Sequence, residues 1–344
     1  MPDFQHEHVV VRSGSRSGLP VIIAVHSTKL GQAVGGCRVW RYADWRDGLA
    51  DALRLSAAMT AKCAVAGLAN GGGKTVVALP ADADLDAATR RMVLHDVADA
   101  ITSLSGTYAT GPDVGTTPED MAVIGERTPY VFCKPERHGG SGGSSEATAL
   151  GTLAALRAVR RRLHGTAAFT GARLAVVGLG SVGMRLARLL AAEGAELVVA
   201  DIDPARRQES DALGATWVSP EEALTAEVDI VVPAALGGVL TADVVPDLRC
   251  AAVAGPANNQ LATEKVADLL HRRGIAWVPD HVVSAGGVIN TLAVELHHES
   301  ADEAHKRVEA IEHTVADLLH TAALQRVTPA QAATELARLR LASA

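Results

Sequence analysis

The stretch "RLAVVGLGSVGMRLARLLAAEGAELVVAD", residues 173–201, restricts the fold more than any other part of this 344-residue chain. An apolar run enters Gly178-Leu179-Gly180-Ser181-Val182-Gly183, a helical pattern follows, and a second apolar run ends on Asp201. The order is strand, glycine turn, helix, strand, and such a unit closes as a parallel pair with a right-handed crossover. Gly178 permits the tight turn, Gly180 lets a pyrophosphate reach the backbone, and Gly183 lets the helix pack on the strand. The helix N-terminus then offers free N–H groups to the phosphates. An acid about 20 residues past the glycines suits the adenosine ribose hydroxyls and repels a 2′-phosphate. Asp201 occupies that place, so the unit is expected to take NAD rather than NADP, with Arg206 and Arg207 on a solvated helix face.

The runs "VDIVVPAA", "CAAVAG" and "IAWVPD" repeat the strand pattern between helical stretches and extend the unit to a doubly wound parallel sheet, a Rossmann domain. The earlier part of the chain is less regular. "HVVVRS", "LPVIIAVHS", "KTVVAL" and "PYVFC" read as strands, and "DAATRRMVLHDVADAITSL" as a helix. "WRDGLADALRLSAAMTAKCAVAG" carries apolar residues at helical spacing and stops at Gly67, which puts Lys62 on a last helical turn. "RHGGSGGSS" reads as a hinge. The fold class expected is therefore α/β, with a first domain over residues 1–137 and a Rossmann domain over 138–324. The tail from Asp302 is expected to be helical with a break at Thr328-Pro329, and 325–344 to pack back on the first domain.

Composition narrows the setting. A net charge of -7 leaves no basic footprint for nucleic acid. Cys37, Cys63, Cys133 and Cys250 are scattered without a CxxC pair, which suits reduced thiols in a cytoplasm and neither a disulfide framework nor a metal site. No uninterrupted apolar run nears the ~20 residues of a membrane helix, and the start lacks a charged region followed by an apolar stretch, so neither a membrane span nor a secretory signal is expected.

"CAVAGLANGGGKTVV" places three consecutive glycines before Lys74, with Lys62 just upstream. Alone, this is a turn ending in either a solvated lysine or an anion clamp. Lys62 equally fits a helix C-terminus, where the macrodipole favours a cation, and Asp113 fits a turn after proline. The whole set of motifs narrows the choice. "GGCRVW", "MTAKCAVAGLANGGGKTVV", "YATGPDVGT", "GLGSVG", "AGPANNQLA" and "PDHVVSAGGVIN", in this order, cover nearly the whole chain. With them the chain resembles the amino-acid dehydrogenase superfamily (glutamate, leucine, valine and phenylalanine dehydrogenases), most closely its actinobacterial phenylalanine-specific members.

The resemblance implies an N-terminal substrate domain, an NAD-binding domain and a cleft between them. It implies NAD-dependent, reversible oxidative deamination of an L-amino acid to a 2-oxo acid and ammonia, by a homo-oligomer. In that chemistry Lys62 anchors the α-carboxylate, Lys74 polarises the carbonyl and activates water, and Asp113 exchanges protons with the amino group. Bare backbone at the triple glycine would let Lys74 reach the substrate, with Gly35 and Gly36 alike beside the carboxylate and nicotinamide. Thr148 and Asn258 match positions that hold the nicotinamide carboxamide and ribose, and Ala235 and Ala257 also fall at cofactor positions. The family usually reads N-A-G-G where this chain has Ser284-Ala285-Gly286-Gly287, a shorter side chain at a substrate-positioning place.

Val34 stands where glutamate enzymes carry lysine, so a second substrate carboxylate would be buried unpaired at a cost of several kcal/mol. Gly111, Val288 and Thr291 match the remaining pocket positions. By the same resemblance Gly111 makes room for an aromatic ring, which puts L-phenylalanine first and L-tryptophan next, with leucine or valine as the alternative. Two other readings are a hydroxy-acid oxidoreductase on the same plan and an NAD-binding regulator without turnover.

Overall fold

The computed structural model describes residues 5–81, 83, 85–235 and 237–344. The chain divides into two compact units: Met1–Gly143 with Thr291–His298 and Leu336–Ala344, and Ser144–Asn290 with Glu299–Glu335. The division falls at 143/144 rather than 137/138, and two segments rejoin the first unit rather than the tail alone. Each return has a polar tie. Glu295 accepts from Ser141 N and Oγ at 2.8 and 2.6 Å, and Arg340 donates to the carbonyls of Ala64 and Val65, both at 2.7 Å.

In the first unit β1 (His8–Ser13), β2 (Pro20–Ser27), β3 (Ala33–Arg41), β4 (Gly71–Leu79) and β5 (Tyr108–Pro112) form a mixed sheet in the order β1-β2-β4-β3-β5. β4 is antiparallel to β2 and parallel to β3, and β3 is parallel to β5. Helix α1 (Trp45–Ala66) starts at a capping box on Asp44 and stops where Gly67 turns left-handed, at φ 69°. Through Ala52 it covers a sheet face built from Ile22, Ala24, Val76 and Ala78. The other face carries the larger core, to which α2 (Ala87–Thr102) and α3 (Pro118–Gly125) contribute Val93, Val97, Ile101, Met121 and Ile124.

Three local expectations change. The triple glycine is not a loop: Gly71–Gly73 open β4, and every residue of that strand is buried. A Cβ at Gly72 would run into the backbone of Thr60 on α1, and one at Gly73 would stand 2.5 Å from the Tyr108 ring. The glycines let a helix and a ring press against the middle of a sheet. "GGCRVW" belongs to strand β3, which its glycines hid from the period-2 pattern. "PYVFC" is no strand but a single bridge, Thr110 to Val131, beyond which Cys133 adopts φ 59°.

In the second unit α4 (Ser145–His164) leads to β6 (Arg173–Val177), α5 (Gly183–Ala192), β7 (Glu196–Ala200), β8 (Thr216–Trp217), β9 (Ile230–Pro233), β10 (Ala252–Val253) and β11 (Ala276–Trp277). All pairings are parallel, in the order β11-β10-β9-β6-β7-β8. The winding reverses between β6 and β9, the crevice where such sheets take dinucleotides. The tail is helical at 301–309, 311–325 and 329–342, with the break before Pro329 and a further one at Ala310.

Candidate active site

In the first unit the parallel strands β3, β4 and β5 bring Gly36, Lys74 and Asp113 together. Lys74 projects from β4, where it pairs with Ala24, and its side chain is 7% exposed. Its Nζ lies 2.8 Å from Asp113 Oδ2, at the end of β5. The same oxygen accepts from Arg38 Nε at 2.9 Å. Burial pulls the Lys74 ammonium below its ordinary pKa; Asp113 opposes this, and the Arg38 charge adds to it. Burial alone would raise the Asp113 carboxyl, but Lys74 and then Arg38 outweigh it and hold the group below its usual range. The pair is an amine moved toward neutrality beside an ionised carboxylate.

The two glycines of β3 serve different ends. A Cβ on Gly36 would stand 2.6 Å from Asp113 Cβ and 3.3 Å from Lys74 Nζ, so its absence keeps that ammonium approachable. Gly35 is buried, and a Cβ there would meet the Gly73 carbonyl oxygen, which makes it a packing glycine. Val34 is fully buried. Lys62 is half-buried near the C-terminal end of α1, just before its last turn rather than on it, and two residues past the Thr60 that packs on Gly72.

Gly111 differs from the expectation that it opens space for a substrate ring. A Cβ there would fall on the ring of Phe132, with Cδ2 at 2.8 Å, so the chain's own phenylalanine fills that room. Thr291 is buried too. Its hydroxyl accepts from Cys133 Sγ at 3.6 Å and lies 3.4 Å from the Oγ of Ser141, the residue that donates to Glu295. Arg38, Asp51, Tyr42 and Phe132 escaped the sequence reading. The one usable signal was alternation in "VGGCRV", which sets Arg38 on the face of Gly36.

In the second unit Gly178 adopts φ 109°, and a Cβ there would press 2.5 Å from Ala235 Cβ. Gly183 packs on the Gly178 carbonyl, and a Cβ on Gly180 would meet nothing within 4 Å. A strained turn, a tight helix contact and open space over the middle glycine fit the pyrophosphate cradle. Exposed Ser181, half-buried Val182 and the N-terminus of α5 border it. Asp201 accepts from Leu179 N at 2.6 Å and Asp203 N at 2.8 Å, which ties its carboxylate to the glycine turn. Arg206 and Arg207 face Asp203 and Asp211 at 3.7 and 3.9 Å, on exposed side chains.

Ala257 is buried and Asn258 exposed on the loop after β10. Gly286 and Gly287 pack on the start of α4, where a Cβ on Gly287 would stand 2.6 Å from Thr148 Oγ1. That contact sets the Ser284–Gly287 segment, with half-buried Ser284 and Val288, beside Thr148.

Residues 4–130 match the Glu/Leu/Phe/Val dehydrogenase dimerisation domain, and 199–344 the Glutamate/Leucine/Phenylalanine/Valine dehydrogenase family. Residues 153–242 also match the NAD binding domain of D-isomer specific 2-hydroxyacid dehydrogenases, a likeness confined to the dinucleotide fold. Leucine dehydrogenase of Bacillus cereus is 39% identical over 99% of this chain and 92% of its own length. Phenylalanine dehydrogenase of Lysinibacillus sphaericus is 37% identical over 95% of this chain and 86% of its own. The crystal structure of L-tryptophan dehydrogenase from Nostoc punctiforme superposes with a TM-score of 0.88 at 34% identity, covering 98% of this chain and 96% of that one.

Proposed function

The chain belongs to the Glu/Leu/Phe/Val dehydrogenase family, and on that premise we propose that it deaminates a large apolar L-amino acid, reversibly and with NAD, through Lys62, Lys74 and Asp113. The observation that carries the proposal is the buried Lys74–Asp113 contact of 2.8 Å beside the bare backbone of Gly36. When bound, NAD supplies the acceptor for the hydride that leaves the substrate's Cα. Lys62, a cation at the end of α1, holds the α-carboxylate. Asp113, ionised, takes a proton from the substrate ammonium. Lys74, in its neutral form, takes a proton from the water that adds to the imine carbon, and as an ammonium polarises the carbonyl in the reverse direction. Asp113 then returns its proton to the amino group, and ammonia leaves as the added hydroxyl gives up its proton to form the carbonyl of the 2-oxo acid. Gly178, Gly180, Ser181, Val182, Gly183 and Asp201 would hold the dinucleotide's phosphates and adenosine ribose, with Thr148, Ala235, Ala257 and Asn258 toward the nicotinamide end.

Fully buried, apolar Val34 disfavours a substrate with a second carboxylate. The aromatic preference rested on Gly111, whose open side Phe132 fills, so that glycine does not choose between an aromatic ring and a leucine-sized side chain. The class proposed is therefore large apolar side chains, with leucine and phenylalanine as its two test members and Ser284 and Val288 as residues that tune the choice. The description of the first matched domain supports a homo-oligomer. Among the described residues no helix is long and apolar enough to cross a membrane.

Consumption of NADH with the 2-oxo acid of leucine or phenylalanine tests the reading. Consumption that requires ammonium is expected. Oxidation that proceeds equally without ammonium would point to a hydroxy-acid enzyme, and dinucleotide binding without any turnover to a regulator.

A further inference from the structure

Asp113 does not meet Lys74 alone. Arg38 stands two residues after Gly36 on the same face of β3 and donates through Nε to Asp113 Oδ2 at 2.9 Å. Its Nη1 donates to Asp51 Oδ2, also at 2.9 Å. Asp51, on α1, is fixed in turn by the Tyr42 hydroxyl at 2.9 Å and by Arg54 Nη2 at 2.8 Å. The Arg38 side chain is 19% exposed, so its fork works partly out of water, where orientation and charge both count. Both cations grip the same oxygen of Asp113.

We propose that Arg38 is a positioning residue of the reaction: braced by Asp51 and Tyr42, it fixes Asp113 in the one orientation that meets Lys74, and its charge favours the carboxylate of the one and the neutral amine of the other. The inference rests on the deamination reading for its kinetic consequences, though not for its electrostatic one. The charged groups facing Lys74 are Asp113 and Arg38, and those facing Asp113 are Lys74 and Arg38. Cys37 lies close by on β3, but burial pushes its thiol to about 12, so it stays neutral. Removing the Arg38 charge lets Lys74 hold its proton to higher pH and weakens the hold on ionised Asp113. Both changes move the pH dependence of turnover upward.

The test is Arg38→Met and Arg38→Lys in the full chain, each read by kinetics across pH and by the rate at which an acylating reagent modifies Lys74. Arg38→Met should lower kcat by about tenfold or more, with KM for the amino acid within about threefold, because the loss falls on the reacting groups rather than on the carboxylate anchor. The midpoints of the alkaline rise and of Lys74 acylation should move up by about half a pH unit or more. Arg38→Lys keeps the charge but cannot bridge two carboxylates as a fork. Its kcat should fall while its midpoint stays near wild type. A folded Arg38→Met with an unmoved midpoint overturns the proposal, as does a wild-type kcat in Arg38→Lys should the methionine variant not fold. If the wild type turns over no amino acid, the deamination reading fails, and the acylation midpoint still decides the part played by Arg38.

Discussion

Lys74 is held between two opposing influences: burial favours its neutral amine, and the carboxylate 2.8 Å away favours its ammonium. Burial prevails, and this fixes the sign of the pH dependence. The base form grows as pH rises through a pKa below the ordinary 10.5 of lysine. Oxidative deamination should therefore increase from neutral pH toward the alkaline side with its midpoint below that ordinary value, in a kcat–pH profile on the wild type. A rate falling across that range would assign the base to another group. Gly111 yields a second expectation at the same scale. A methyl there meets the Phe132 ring, so Gly111→Ala should lower kcat/KM for leucine and phenylalanine alike, by about tenfold. Phe132→Leu in the same chain should restore part of the loss. A selective loss of phenylalanine turnover would show instead that Gly111 faces the substrate.

Strand β4 shows how an element can be legible in its chemistry and misread in its shape. Glycine has low strand propensity, so "GGGK" reads as a loop. The reason for a glycine strand lies across the sheet, in the Thr60 backbone and the Tyr108 ring, and no local pattern reports such contacts. Gly72→Ala should push α1 off β4 at a cost of about 3 kcal/mol, seen as a lower denaturation midpoint. Because α1 carries Lys62 near its C-terminal end, KM for the amino acid should rise as well. Gly143→Ala is the control, since a Cβ there meets nothing within 4 Å. Equal stability of the two variants would mean that α1 does not press on β4 as described. The fingerprint of β6 and α5 was legible for the opposite reason: its glycines, helix and acid all lie within 30 residues of chain.

Over the whole molecule, the second unit followed from its sequence because a parallel β/α sheet writes each strand as an apolar run between helices. Only β8, two residues long at the sheet edge, passed unseen. The first unit was less transparent. Its sheet is mixed, its third strand hides behind Gly35-Gly36, and its later pieces, 291–298 and 336–344, join through ties such as Glu295 and Arg340 that no neighbouring residue announces. Lys62, Lys74, Asp113 and the fingerprint glycines, whose roles are proposed here, stand out in the sequence by spacing and resemblance; Arg38 and Phe132 do not, because their contacts exist only after the strands pair. The direct measurement of the central claim is NADH formation from NAD by the wild type and by Lys74→Ala, each given L-leucine, L-phenylalanine and L-glutamate. The wild type should form NADH with leucine or phenylalanine and scarcely with glutamate, while Lys74→Ala still binds the dinucleotide and loses at least about a thousandfold in kcat. Near wild-type turnover by Lys74→Ala, or a preference for glutamate, would contradict it.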